Sequence, residues 1–191
     1  LPFDTSSIPD DAAITSATLR TYVSGRVNYD NDGDDFITLV QSTQVSSTAL
    51  ATTDYARTGA TDNPTEGIDA TERKDITSVS AAAWLTFNLN TTGLGFVSQT
   101  GSTFLALREG HDIIDSPFVS TSTTASQQSY VTFRTSENTG TTYDPLLTVT
   151  YTLTNTVTAD VSTTSYAYDG FGARVSKAVL ASSTGSTTTT I

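Results

Sequence analysis

Alternation between apolar and polar residues is the feature that most constrains how this chain folds. In ATLRTYV, residues 17–23, the odd-numbered side chains share one face of an extended chain and the even-numbered ones share the other. Comparable runs, rich in β-branched and aromatic residues, lie at 35–40, 84–90, 105–107, 131–133 and 147–153. A period of two over such short runs is typical of strands that bury one face.

Helical periodicity, by contrast, is confined to 77–83 and 91–99, each long enough for about two turns. We therefore predict an all-β protein, an antiparallel β-sandwich of jelly-roll type with a C-terminal β-hairpin or strand extension. The sandwich is expected to span 1–154, followed by a linker at 155–163 and a tail at 164–191. The polar segment 46–75 is long for a plain connection and is interpreted as a functional loop or a crossover.

Composition narrows the class of partner and the compartment. The chain of 191 residues has a formal net charge of −11, which repels phosphate backbones and argues against nucleic acid as a partner. It contains neither cysteine nor methionine, is rich in Ser and Thr, and has no apolar stretch near the roughly 20 residues of a membrane helix. We expect a processed piece of a longer protein, extracellular or on the cell surface, with no membrane span in this piece.

The opening LPFDTSSIPDDAAITSATLRTYV and the later YVTFRTSENTGTTYDPLLTVTYT together resemble the DNRLRE-type, or disaggregatase-related, β-sandwich modules. The resemblance covers roughly residues 1–152. It implies a jelly-roll-like fold within a secreted multidomain protein, and some relatives bind carbohydrate. Members of the family carry a further strand before the FDTSSIP motif. Because this sequence starts at the motif, the resemblance also implies a sandwich that lacks one strand.

The tail contains YAYDGFGARVSKAV at 166–179, which resembles a single YD, or RHS, repeat at Tyr168, Asp169, Gly170, Gly172 and Arg174. A lone copy cannot build the β-shell that many such repeats form together. Asp-Gly between alternating runs is also a hairpin signal, and an isolated hairpin is only marginally stable in water. The tail is therefore expected to pair with another sheet.

Three arrangements of the tail remain open. It fills an edge of its own sandwich in a monomer, or it is a donor strand for the next copy in a head-to-tail filament. In the third, the chain is a carbohydrate-binding or adhesion module cleaved from a larger secreted RHS-type protein, with glycans as partners.

We predict the second arrangement, in which the chain is a non-enzymatic structural subunit of an extracellular filament or surface fibre whose partners are copies of itself. The acceptor groove is expected near Phe3 and Leu19. The apolar residues expected to make the contact from the strand-exchange tail are Tyr166, Tyr168, Phe171, Val175 and Val179.

One acidic loop has the spacing of a calcium site. In NYDNDGDDF, residues 28–36, the candidate ligands are Asn28, Asp30, Asp32 and Asp34. Alternate oxygen-bearing side chains on a tight loop suit a hard cation, which takes 6–8 oxygen ligands. The Glu expected at the twelfth position of an EF-hand is absent, because Leu39 stands there. The alternative is an acidic turn in which Asp-Gly serves turn geometry alone.

No catalytic set emerges from the sequence. His111, in REGHDIID, is the single histidine, and a turn or surface position is expected for it rather than an acid–base role with Asp112 or Asp115. Trp84 and the tyrosines offer a surface on which a sugar could stack, but a single Trp is more typical of a core cap. We predict that the chain is not an enzyme and that calcium is its one candidate cofactor.

Overall fold

The computed structural model describes residues 1–29, 32–119, 129–136 and 139–154, together with the backbone of 184–190. The strands of this part are β1 Pro2–Asp4, β2 Ala13–Val27, β3 Phe36–Gln41, β4 Lys74–Asp75, β5 Ala83–Asn88, β6 Ser102–Glu109, β7 Tyr130–Phe133, β8 Leu146–Thr154 and β9 Thr184–Thr190. Two short helices, α1 Thr91–Leu94 and α2 Gly110–Ile114, and two 3₁₀ turns, Thr52–Arg57 and Ala70–Glu72, lie between them. Within these ranges no helix has the length and apolar character that crossing a bilayer requires.

The described strands form two antiparallel sheets. The first has the order β1-β6-β3-β4, and the second has the order β5-β2-β8-β9. Strand β7 pairs with the C-terminal end of β2, from Val23 to Val27. The all-β antiparallel sandwich predicted from the alternation is confirmed. The sheets are built from strands distant in sequence, so β2 pairs with β8 from Ala13↔Thr152 to Arg20↔Leu146.

The core lies between the sheets and consists of the side chains that the alternation assigns to one face. Leu19 and Val23 of β2, Leu39 of β3, Phe87 of β5 and Leu147 of β8 are 0% exposed. Strand β3 is apolar almost throughout because both of its faces are covered. Its other face forms a second small cluster, which contains Phe36, Val40, Ala106 and Ile113.

Thr5 and Thr103 are polar residues inside the sandwich that pair with each other. The hydroxyl of Thr5, next to β1, donates to the carbonyl of Gly101 at 2.8 Å and lies 2.8 Å from the hydroxyl of Thr103 on β6. At an open side of the sandwich, Glu72 accepts hydrogen bonds from Lys74 of β4 and Asn88 of β5, each at 3.2 Å. This carboxylate therefore joins an edge strand of one sheet to an edge strand of the other.

The structure corrects two local predictions. The segment 77–83 contains turns and the first residue of β5 but no helix, because the backbone N–H of Thr77 donates to the Asp75 carboxylate at 2.7 Å and Ala82 has a positive φ of 58°. Of 91–99, only Thr91–Leu94 is helical, and it begins at Asn90, whose side chain accepts from the N–H of Gly93. The long polar segment 46–75 carries the 3₁₀ turns and β4.

The core assignment leads to a stability prediction. Substituting Phe87→Ala removes a fully buried ring and is expected to lower the free energy of unfolding by about 3–5 kcal/mol. Leu50→Ala is the matched control, because Leu50 is 81% exposed and its loss should cost less than about 0.5 kcal/mol. Urea unfolding followed by circular dichroism measures both, and equal effects of the two substitutions would contradict the assignment.

Candidate functional site

The acidic loop between β2 and β3 is a tight turn held by its own polar groups. Gly33 has a φ of 102°, a left-handed conformation that favours glycine, and the N–H of Asp34 donates to the Asp32 carboxylate at 2.9 Å. Asp30 lies outside the described residues.

Asn28, the first candidate ligand, belongs to a hydrogen-bond network. Its side-chain amide donates to the carboxylate of Asp35 and to the hydroxyl of Thr77, the latter at 2.8 Å. Its amide oxygen accepts from Ser129, next to β7, at 3.1 Å. The network joins both ends of the loop to β4 and β7.

In the described part of the chain, no three His, Cys, Asp or Glu side chains form a group that could hold a metal ion. Since the proposed set Asn28, Asp30, Asp32 and Asp34 includes a residue outside that part, the calcium site stays a prediction.

His111 contacts the same loop and is buried, unlike the surface position expected for it. Its side chain is 7% exposed, and its Nδ1 atom lies 2.8 Å from the Glu109 carboxylate. Its Nε2 atom lies 3.5 Å from the carboxylate of Asp32. Asp112, an expected neighbour, instead pairs with Arg108 at 2.6 Å. His111 therefore connects helix α2 to the acidic loop.

Charge around His111 favours its protonated form. Burial by itself would lower the pKa of His111, but the hydrogen bond with Glu109 and the negative charges of Glu109 and Asp32 outweigh it and raise the pKa above the ordinary value of 6.5. The hydrogen bond from the Asp34 N–H, together with the charge of His111, holds the pKa of Asp32 below its usual value.

A group of aromatic rings forms a second candidate site, on the face of the β5-β2-β8 sheet that points away from the core. Thr21 and Val23 are buried, so Tyr22 between them points outward, and Trp84 lies directly opposite it on β5. The rings of Tyr22 and Trp84 meet edge to face at 5.5 Å, and the ring of Tyr143 lies 4.1 Å from Tyr22. We call these three rings the aromatic platform.

A cation lies over one ring of the platform, and the position of Trp84 differs from the core cap that was expected. The guanidinium of Arg20 lies 4.7 Å from the centre of the Trp84 ring, and Tyr143 is 43% exposed. Trp84 thus belongs to an outer face and does not cap the core. Period-two counting from Leu19 places Tyr22 outward in the sequence alone, but the partner of Trp84 required the strand register.

The structure describes only some of the residues proposed for strand exchange. Tyr166, Tyr168, Phe171, Val175 and Val179 lie outside the described residues. Phe3, on β1, is 7% exposed, and β1 pairs on one side with β6 in the described sheet. Leu19 lies in the middle of β2, paired with Leu147 on one side and Phe87 on the other. It is therefore a core residue flanked by strands and does not line an open edge.

No family model, curated protein or solved structure matches this chain. The resemblance to DNRLRE-type modules and to a YD repeat accordingly stays a prediction, and the two sites rest on their own geometry.

The His111 contacts predict a pH dependence of stability. The raised pKa means that protonated His111 stabilises the fold fully below pH 6.5, and this contribution is lost as the pH rises through the higher pKa of the folded state. The His111→Gln variant should lose this dependence. Urea unfolding at several pH values between about 5 and 9 measures it.

Asp112→Asn is the matched control, because Asp112 pairs with Arg108 and should leave the dependence on pH unchanged. A wild-type curve that superimposes on that of His111→Gln across the range would contradict the interpretation.

Proposed function

We propose that the chain is a non-enzymatic structural subunit of an extracellular filament or surface fibre, in which copies are joined head to tail by strand complementation. One observation carries this proposal. The C-terminal strand β9 pairs with the edge strand β8 along seven residues, from Thr148↔Thr190 to Thr154↔Thr184. A sheet edge of this chain thus accepts an extended segment through backbone pairing.

The connection between the two strands favours exchange between copies. Strand β8 ends at Thr154 and β9 begins at Thr184, so 29 residues separate two positions that lie side by side. Consecutive antiparallel strands that form a β-hairpin are ordinarily joined by loops of 2–5 residues. A long connection gives β9 the reach to pair with β8 of a neighbouring molecule in the same register, and closing it within one chain has an entropic cost that grows with its length.

The composition of β9 suits this role. Its sequence, TGSTTTT, contains no charge and no proline, the two devices that proteins commonly use to block edge-to-edge addition. Threonine favours strand conformation and needs little apolar burial.

The proposal revises where donor and acceptor lie. The acceptor becomes β8 instead of the neighbourhood of Phe3 and Leu19, and the donor becomes Thr184–Thr190. The segment from Tyr166 to Leu180, the earlier candidate donor, becomes the connection that allows exchange.

Disulfide trapping tests the exchange, and the absence of natural cysteine makes the trap specific. Thr150 and Thr188 are directly paired, so Thr150→Cys in one preparation and Thr188→Cys in another should give a disulfide-linked heterodimer after co-refolding and oxidation. A chain that carries both substitutions should give a ladder of covalent oligomers on a non-reducing gel.

Thr150→Cys with Gly185→Cys is the matched control, because Gly185 pairs with Leu153, roughly 10 Å further along the ladder and beyond the reach of a disulfide. If the double variant gives only a monomer with an internal disulfide and the mixed variants give no heterodimer, β9 remains in its own chain and the filament proposal is wrong. The proposal also expects that a chain truncated after Thr154, which lacks β9, forms no filaments in electron microscopy.

The aromatic platform favours a second candidate function, carbohydrate binding by an adhesion module. Three rings on an outer sheet face, with the Arg20 guanidinium over the Trp84 ring, offer stacking surface and hydrogen-bond donors together. Sugar rings pack their C–H faces on such surfaces, and the polar groups of Tyr and Trp at the ring edges can hydrogen-bond to the sugar hydroxyls.

Trp84→Ala is expected to weaken retention on a polysaccharide that the wild-type protein binds by about tenfold, as measured by affinity electrophoresis after a glycan-array screen. Tyr55→Ala is the matched control, since Tyr55 is 85% exposed, lies on a 3₁₀ turn and takes no part in the ring contacts of the platform. Equal retention of both variants would exclude the platform as the binding surface.

A further inference from the structure

An apolar cavity of about 270 Å³ lies beside β7, where that strand and β8 approach β2 from the same side. The apolar residues that line it include Leu1, Leu107, Phe133 and Pro145. The polar residues that line it include Thr21 and Arg134. None of the three aromatic platform residues lines it, but it borders the platform, because the backbone N–H of Arg134 donates to the carbonyl of Tyr22 at 2.9 Å.

Thr21 and Arg134 each have a buried polar atom without a hydrogen-bond partner among the described residues. The hydroxyl of Thr21, a residue that is 1% exposed, has no hydrogen-bond partner in the described part of the chain, and neither does Nε of Arg134. Buried polar groups in folded proteins are usually paired, and an unpaired one lowers stability. A ligand that forms hydrogen bonds with these groups would remove this loss of stability.

The charge of Arg134 indicates which chemical class of ligand the cavity would favour. The cations of Arg57, Arg73, Lys74 and Arg108 each lie within ion-pair distance of a carboxylate. Among the described residues no such pair involves Arg134, Arg20 or Arg26, and of these three only Arg134 lines the cavity. An uncompensated guanidinium at an apolar wall favours an anion, and a carboxylate accepts hydrogen bonds from guanidinium and hydroxyl groups alike.

We propose that this cavity binds a small aliphatic carboxylate, with its hydrocarbon chain against Leu107, Phe133 and Pro145 and its carboxylate toward Thr21 and Arg134. The volume sets the size of the ligand. At roughly 30 Å³ for each water-sized group, the cavity holds about eight to ten non-hydrogen atoms, which corresponds to a chain of about six to eight carbons. It is smaller than the roughly 300–1,000 Å³ typical of sites for drug-sized molecules. This inference is independent of the proposed function.

Octanoate is the probe, titrated into the wild-type protein by calorimetry. Octanoate should bind and should raise the melting temperature, whereas octanol, which has the same chain without the charge, should bind at least about tenfold more weakly. Arg134→Gln should weaken octanoate by at least about tenfold and leave octanol unchanged. Arg26→Gln is the matched control, because Arg26 also lies on the β2–β7 sheet but does not line the cavity.

The Thr21→Val variant distinguishes an effect on ligand binding from an effect on the stability of the fold. This nearly isosteric change removes the unpaired hydroxyl, so the free protein should melt at a higher temperature while octanoate binds more weakly. In the wild-type protein, intermolecular NOEs from octanoate methylene protons to the Phe133 ring should locate the chain without any substitution.

Three results would overturn the proposal: no binding of octanoate to the wild-type protein, octanol binding as tightly as octanoate, or NOEs that reach other aromatic residues but not Phe133. All three are decided on the wild-type chain, so they stand even if a variant fails to fold.

Discussion

Strand β2 is the element on which the rest of the structure depends. Its 15 residues pair with β5, β7 and β8, so it joins most of one sheet by backbone hydrogen bonds. Its inner face supplies Leu19 and Val23 to the core, and its outer face supplies Arg20 and Tyr22 to the aromatic platform. Because successive side chains of a strand point to opposite faces, one segment serves packing and surface chemistry at the same time.

The loops are fixed to this sandwich by a small number of charged side chains. Arg108 of β6 donates to the carbonyls of Thr58, Ala60 and Thr61 while it pairs with Asp112, which holds the long connection before β4 against the sheet. Glu66 binds the guanidinium of Arg73 and the hydroxyl of Thr38. Charge-assisted bonds of this kind are stronger than neutral ones, which compensates for the scarcity of apolar residues in these loops.

The two candidate functions use different parts of one sheet and do not exclude each other. Strand exchange uses the backbone edge of β8, whereas a glycan would contact the outer face formed by Tyr22, Trp84 and Tyr143. A fibre built by strand exchange would repeat the platform once in every subunit. Many weak glycan contacts along such a fibre would then act together through multivalency.

Local periodicity was enough to place the strands around Leu19, Phe87, Leu105 and Leu147. A strand that buries one face shows alternating apolar and polar residues in its own sequence. It also indicated an antiparallel all-β sandwich. It did not exclude a helix at 77–83, since the turn there depends on the Asp75 carboxylate accepting a backbone N–H. Spacing likewise identified the acidic loop but could not reveal that its Asp32 lies 3.5 Å from His111.

Only the tertiary structure decided the contacts between residues distant in the chain. The position of Trp84 opposite Tyr22, the burial of His111 beside Glu109, and the pairing of β9 with β8 all depend on strand order and register. Alternation specifies which face of a strand is apolar, but it does not say which strand lies next to it. The sequence by itself therefore determined the core strands β2, β3, β5, β6 and β8 and their buried faces, whereas sheet order, set by packing of the whole chain, determined the candidate sites.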